Sequence, residues 1–186
     1  MAEDSVDLDA LRDRFDLEPM PLEGGYFRQT WRGVEDENGR PAATAILVLL
    51  SAADDQFSAM HRLPTDEVWH FHSGDPVELL LLNESDRSHR KVLIGDPMAD
   101  HSPQLVVPAG TWMGGRPVGD LGWSMFSCTM TPGFMDADYE GGDRDELIER
   151  FPDAAIDIAK LTRPGVALHH PDSSATLRGN MALGSF

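Results

Sequence analysis

Three histidines, a glutamate and an arginine crowd into one stretch, Met60-His61-Arg62-Leu63-Pro64-Thr65-Asp66-Glu67-Val68-Trp69-His70-Phe71-His72-Ser73-Gly74. Imidazoles titrate near neutrality, and burial can push a carboxylate there. A His and a Glu sharing a pocket are therefore equipped for general acid/base work or for holding a cation. On a strand, alternate residues share a face, so Glu67, Trp69 and Phe71 point one way and Val68, His70 and His72 the other. A single site using Glu67 with His70 and His72 would need a bulge. His61 lies on the preceding run and can meet Glu67 across a tight Leu63–Asp66 connection. That pair is half a metal site, or an acid/base pair.

Other residues offer chemistry with weaker signals. His72 stands before a Gly-Asp-Pro turn, where capping explains it as well as catalysis does. Arg28 and Arg62 can clamp a carboxylate or phosphate, or form salt bridges in an acid-rich chain. Tyr26 and Tyr139 are the only tyrosines, and one placed at a pocket mouth can act as an acid. Trp69, Trp112 and Trp123 read mainly as core, with Trp69 and Trp112 candidates for stacking on a sugar or another planar ligand. Cys128 reads as buried filler, and His169-His170 as solvent-exposed.

The elements around these residues are short. Ser5–Phe15 predicts a helix, capped by Ser5 or Asp7, with Val6, Leu8, Leu11 and Phe15 at near-helical spacing. From there to about Phe134 the runs are β-rich and broken by turn residues. The expected strands are Gly25–Trp31, Ala43–Ser51, Gln56–His61, Glu67–His72, Val77–Asn83, His89–Ile94, Gln104–Val107, Thr111–Gly114 and Gly122–Thr131. With no helices between them, they argue for an antiparallel sandwich or barrel. Ala43–Ser51 is apolar on both faces, which suits the middle of a layered structure or a homodimer contact. Two short helices follow, Arg144–Arg150 capped by Asp143 and Ala154–Lys160, and then a loop or wrapped arm from Arg163. The organisation is one domain: an N-terminal helix and arm (1–20), a barrel (21–140), and C-terminal helices with a tail (141–186).

Composition narrows the function classes. The chain has 186 residues and a formal charge of −17, with 21 aspartates and two lysines. Nucleic-acid backbones and anionic membranes repel such a surface. The aspartate bias fits either a high-salt interior or a GC-rich genome. A single cysteine, Cys128, excludes an internal disulfide and multi-cysteine zinc or iron–sulfur sites. The start, MAEDSVDLDA, has no signal-peptide pattern, and a cytoplasmic protein is expected.

The motif residues resemble the first cupin motif: His61, then Glu67, then Gly74. Pro108-Ala109-Gly110-Thr111-Trp112 resembles the start of the second. More closely, the chain is similar to the cupin-5 family, through Leu22-Glu23-Gly24-Gly25-Tyr26-Phe27, His61-Arg62, Asp66-Glu67-x-Trp69-x-Phe71-His72-x-Gly74, Val107-Pro108-Ala109-Gly110-x-Trp112 and Cys128-x-x-x-Pro132-Gly133-Phe134. The resemblance implies an all-β fold, a single cupin double-stranded β-helix (jelly-roll) barrel, usually a homodimer, with a short N-terminal helix and one or two short C-terminal helices. It implies no agreed activity. Cupin metal sites usually have three His and one Glu; here His61 and Glu67 stand at two ligand positions, while Ala59 and Met113 occupy the other two. The implied metal set is incomplete, so the expected cofactor is none or a weakly bound divalent metal. The leading reading is a small-molecule enzyme doing isomerase, epimerase or lyase-type acid/base chemistry on a sugar-like or carboxylated substrate. Its catalytic candidates are His61, Glu67 and His72, with Tyr26, Arg28, Trp69 and Trp112 as binding candidates. The alternatives are a non-catalytic small-molecule-binding cupin and, behind it, a metal-dependent oxygenase or hydrolase.

Overall fold

The protein is described by a computed structural model that covers residues 6–52 and 56–171. Helix α1 (Leu8–Phe15) opens the described chain. The Asp7 carboxylate accepts from the backbone N–H groups of Asp9 and Ala10, which have no partner inside the helix. Ser5, the other expected cap, lies outside the described residues.

Eleven strands follow: β1 (Glu18–Pro19), β2 (Tyr26–Arg32), β3 (Thr44–Ser51), β4 (Ser58–Arg62), β5 (Glu67–Gly74), β6 (Val77–Asn83), β7 (Ser88–Ile94), β8 (Gln104–Val107), β9 (Trp112–Pro117), β10 (Trp123–Met130) and β11 (Glu140–Gly141). They form two antiparallel sheets, one ordered β1-β2-β3-β10-β5-β8 and the other β11-β4-β9-β6-β7. Consecutive strands often lie in opposite sheets, which is the winding of a jelly roll and not of a meander. All nine expected strands are present with ends shifted by a few residues. The two-residue strands β1 and β11 are too short to leave a periodic signal.

The layers explain the apolar runs. The facing sides of the two sheets enclose one core, with Val48, Leu50, Trp69, Phe126 and Cys128 from one sheet and Val77, Leu79, Leu81 and Met113 from the other. The outer side of β3 carries Leu47 and Leu49, which pack with Leu8, Leu11, Phe15 and Leu17. The two-sided apolar pattern of β3 is thus accounted for within a single chain. The outer side of the second sheet receives helices α2 (Arg144–Arg150) and α3 (Ala155–Lys160). There Leu80, Leu82 and Trp112 pack against Leu147, Phe151 and Ile158. Asp143 caps α2 by accepting from Asp145 and Glu146 N–H groups.

Leu80 is 1% exposed under those helices, whereas Ile156 on α3 is 74% exposed. Leu80→Ala is expected to cost about 2–5 kcal/mol in denaturant unfolding, and Ile156→Ala less than about 0.5 kcal/mol. Equal effects would mean that α2 and α3 do not cover this sheet.

Candidate functional site

Between the sheets, at the end where β2 leaves the barrel, lies a cavity of about 590 Å³. Its polar floor is assembled from three parts of the chain. His61 comes from β4 and Glu67 from β5, both on inward positions and both buried. Glu23 comes from the loop before β2. That loop is forced inward by its backbone: Gly24 and Gly25 have φ of 97° and 79°, and a Cβ on Gly24 would stand 2.8 Å from the Phe57 carbonyl oxygen. Ala59 N–H and an Arg163 guanidinium N–H both donate to the Glu23 carbonyl, pinning the loop to β4 and to the C-terminal segment.

The hydrogen bonds set the state of each group. His61 Nδ1 is 2.8 Å from the Ala59 carbonyl oxygen. A carbonyl can only accept, so Nδ1 carries a proton, and in the neutral form of the ring the lone pair is on Nε2. Nε2 makes no hydrogen bond among the described residues, and the Glu23 Oε2 lies 4.0 Å from it. The other Glu23 oxygen accepts from Ser58 Oγ at 2.6 Å. Tyr139 stacks on His61, with ring centroids 5.4 Å apart and planes 16° from parallel. Burial, with the nearby Glu23 charge, pushes the Tyr139 hydroxyl up, so it stays protonated.

Glu67 is the most perturbed carboxyl. Burial pushes it up to about 7 from an ordinary 4.5. His61 opposes this, Glu23 adds to it, and hydrogen bonds from Trp69 and Cys128 partly offset it. The Trp69 indole N–H donates to Glu67 Oε2 at 2.8 Å, and the ring stacks on Phe126 behind it. Cys128 is held as a thiol, its acidity suppressed by burial and by the Glu67 charge.

The other sequence candidates stand elsewhere, for reasons of strand parity. His72 is on the outer side of β5, where Nε2 meets Ser127 Oγ at 2.9 Å. Burial and neighbouring His70 lower its basicity. His72, expected as a catalytic residue, is not among the residues that line the cavity. Tyr26 faces outward into the α1 packing, with the Arg12 guanidinium 4.5 Å over its ring. Arg28, next along β2, donates to the Phe15 carbonyl. Trp112 lies under α2 and α3 and donates to Glu84 Oε1. None of these three expected binding residues lines the cavity. Trp69 supports Glu67 from behind. Conversely, Glu23, Tyr139, Cys128 and His170 line the cavity without having been assigned to it by the sequence. His170 was expected in solvent; it is half-buried, edge-on to Tyr139. Only Glu23 had a readable signal, an acid directly before two glycines.

With this geometry in hand, the comparisons are specific. The family model described as Cupin superfamily (DUF985) matches residues 9–141. The chain belongs to this cupin family. Among solved structures, the cupin is similar to a hypothetical protein from Leishmania major, at 30% identity and a TM-score of 0.74, covering 84% of this chain and 99% of that one. It is also similar to a Shewanella oneidensis protein, at 28% identity and a TM-score of 0.78, covering 86% and 99%. A Bacillus subtilis oxalate decarboxylase shares the fold alone: 13% identity, a TM-score of 0.51, and coverage of 91% of this chain and 44% of that one. Among curated proteins none matches significantly.

The cupin fold raises the question of a metal, and the donor set answers poorly. Ala59 has no donor atom, Met113 offers a soft thioether packed in the core, and Glu67 Oε2 is engaged by Trp69. Among the described residues no three His, Cys, Asp or Glu side chains converge to hold an ion. The residues present do not fit a divalent cation.

Glu67 has a consequence for stability. Its folded-state affinity for the proton exceeds that of the unfolded chain, so between pH 4.5 and about 7 the native state holds the proton longer. Stability from this group therefore falls as pH rises through that window, by up to about 3 kcal/mol. Glu67→Gln should gain on the wild type by that margin between pH 4.5 and 8 in denaturant unfolding. A pH-independent difference would mean that Glu67 titrates normally.

Proposed function

We propose that this cupin is a small-molecule enzyme that moves a proton within its barrel cavity, in an isomerase, epimerase or lyase-type reaction. The observation that carries this reading is His61 in the cavity lining: Nδ1 donates to the Ala59 carbonyl behind it, and Nε2 makes no hydrogen bond among the described residues. Glu67, on β5 in the opposite sheet and poised near neutrality, complements it. Two titratable groups held in different states beside one cavity are the usual arrangement for an acid and a base.

The roles follow from those states. His61 Nε2 takes a proton from a carbon next to a carbonyl, and the C–H electron pair becomes the enol double bond. Protonated Glu67 gives its proton to the carbonyl oxygen, so no net charge is left in the barrel. Glu23 stabilises the imidazolium as it forms. Tyr139 holds the ring plane by stacking. Return of the proton to the same or a neighbouring carbon, or loss of a leaving group, distinguishes epimerase, isomerase and lyase outcomes. A sugar-like substrate fits a cavity of this size. A carboxylated one is disfavoured, because Glu18, Glu23, Glu67 and Asp136 all line it.

The test is deuterium incorporation from D2O into a panel of aldoses, ketoses and amino sugars, followed by NMR. Wild-type protein should exchange a carbon-bound hydrogen in at least one of them, and Glu67→Gln or His61→Gln should slow that exchange by about 10²–10⁴-fold. Unchanged exchange in both variants would remove the mechanism. A ligand that binds tightly and returns unlabelled would favour the non-catalytic binding cupin.

A further inference from the structure

The floor of the cavity is rich in acceptors. Glu23 Oε2 is without a hydrogen bond among the described residues, since Ser58 takes the other oxygen. His61 Nε2, 4.0 Å from it, offers a lone pair. Glu67 is buried next to them, with Trp69 occupying one of its oxygens. At the rim stand Glu18 and Asp136, both exposed. Arg32 is the one guanidinium in the lining, and Glu35 engages it at 2.8 Å. His170, set edge-on to Tyr139, also lines the cavity, as do Tyr139 and Cys128, both kept protonated by burial.

This lining selects by both charge and hydrogen-bond direction. A carboxylate or phosphate would bring lone pairs to lone pairs and negative charge to the Glu18, Glu23 and Asp136 carboxylates. A hydroxyl can donate only one proton. An ammonium brings three N–H donors and the missing charge. The remaining walls, including Phe27, Ile46, Leu63 and Phe134, suit an apolar or ring-shaped body.

We propose that the ligand of this cavity is a small molecule carrying a protonated primary amine, with the ammonium seated between Glu23 Oε2 and His61 Nε2. The inference takes the cavity as the functional site argued above, but it does not require that chemistry happens there.

The experiment is calorimetric or NMR titration of the full chain with benzylamine, benzyl alcohol and benzoate, three probes with one ring and different head groups, at pH 7.5 and low salt. Benzylamine should bind about tenfold tighter than benzyl alcohol, the scale of one charge-assisted hydrogen bond, and benzoate more weakly than either. Glu23→Gln should weaken benzylamine by about fivefold or more while leaving benzyl alcohol unchanged, which reports an intact cavity. Glu149→Gln, the same charge change on an exposed helical residue, should leave all three unchanged. Equal binding of amine and alcohol, preference for benzoate, no binding by any probe, or equal effects of the two variants would each overturn the proposal. The readout is binding alone, so it is separable from the catalytic reading. Absent deuterium exchange with the amine preference intact removes only the enzyme, and exchange without that preference removes only the amine.

Discussion

The constraint on which this site depends is a carboxyl group buried inside an apolar barrel. Glu67 occupies an inward position on β5, among residues that form the core, where burial strips most of the water from its charge. Burial of an unpaired carboxylate costs several kcal/mol. The fold meets that cost partly with hydrogen bonds from Trp69 and Cys128 and partly by letting the group keep its proton. The same arrangement that stresses the fold leaves a carboxyl group able to give or take a proton near neutrality.

Much of the surrounding architecture supports that position. Phe126 stacks on Trp69 and holds the indole at the carboxyl group. The backbone of β4 turns the His61 N–H outward to Ala59 and the lone pair inward. The glycine pair at 24–25 lets the preceding loop bring a second carboxylate to 4.0 Å from the imidazole. Each contact comes from a different segment, and only closure of the two sheets brings them together. The cladding of α1, α2 and α3 covers the apolar outer faces that such short strands would otherwise leave in water.

The parts of this picture that were legible in the sequence are those governed by local rules. Alternation along β5 places Glu67 and Trp69 inside with His70 and His72 outside, and the structure follows it. His72 entered the candidate set because it sits near the motif, although its parity pointed outward. Tyr26, Arg28 and Trp112 were drawn in the same way, by adjacency to motif residues and not by the face they occupy. Glu23 and Tyr139 escaped because their roles depend on contacts 38 and 78 residues away from His61, which no period reports. The apolar outer side of β3 was visible, but its partner α1 lies in a separate part of the chain. Two copies of the chain and one copy with a helix folded over the sheet leave the same pattern in the strand.

The most direct test of the account is to follow the Glu67 carboxyl itself. Protein carrying carbon-13 at the glutamate side-chain carboxyl, compared with Glu67→Gln to assign the resonance, can be titrated by NMR from pH 3 to 9. The account expects one glutamate signal that moves with a midpoint near 7 and is missing from the variant. A Glu67 midpoint in the ordinary range near 4.5 would mean the group is a solvated anion at neutrality, and the barrel would have lost its acid.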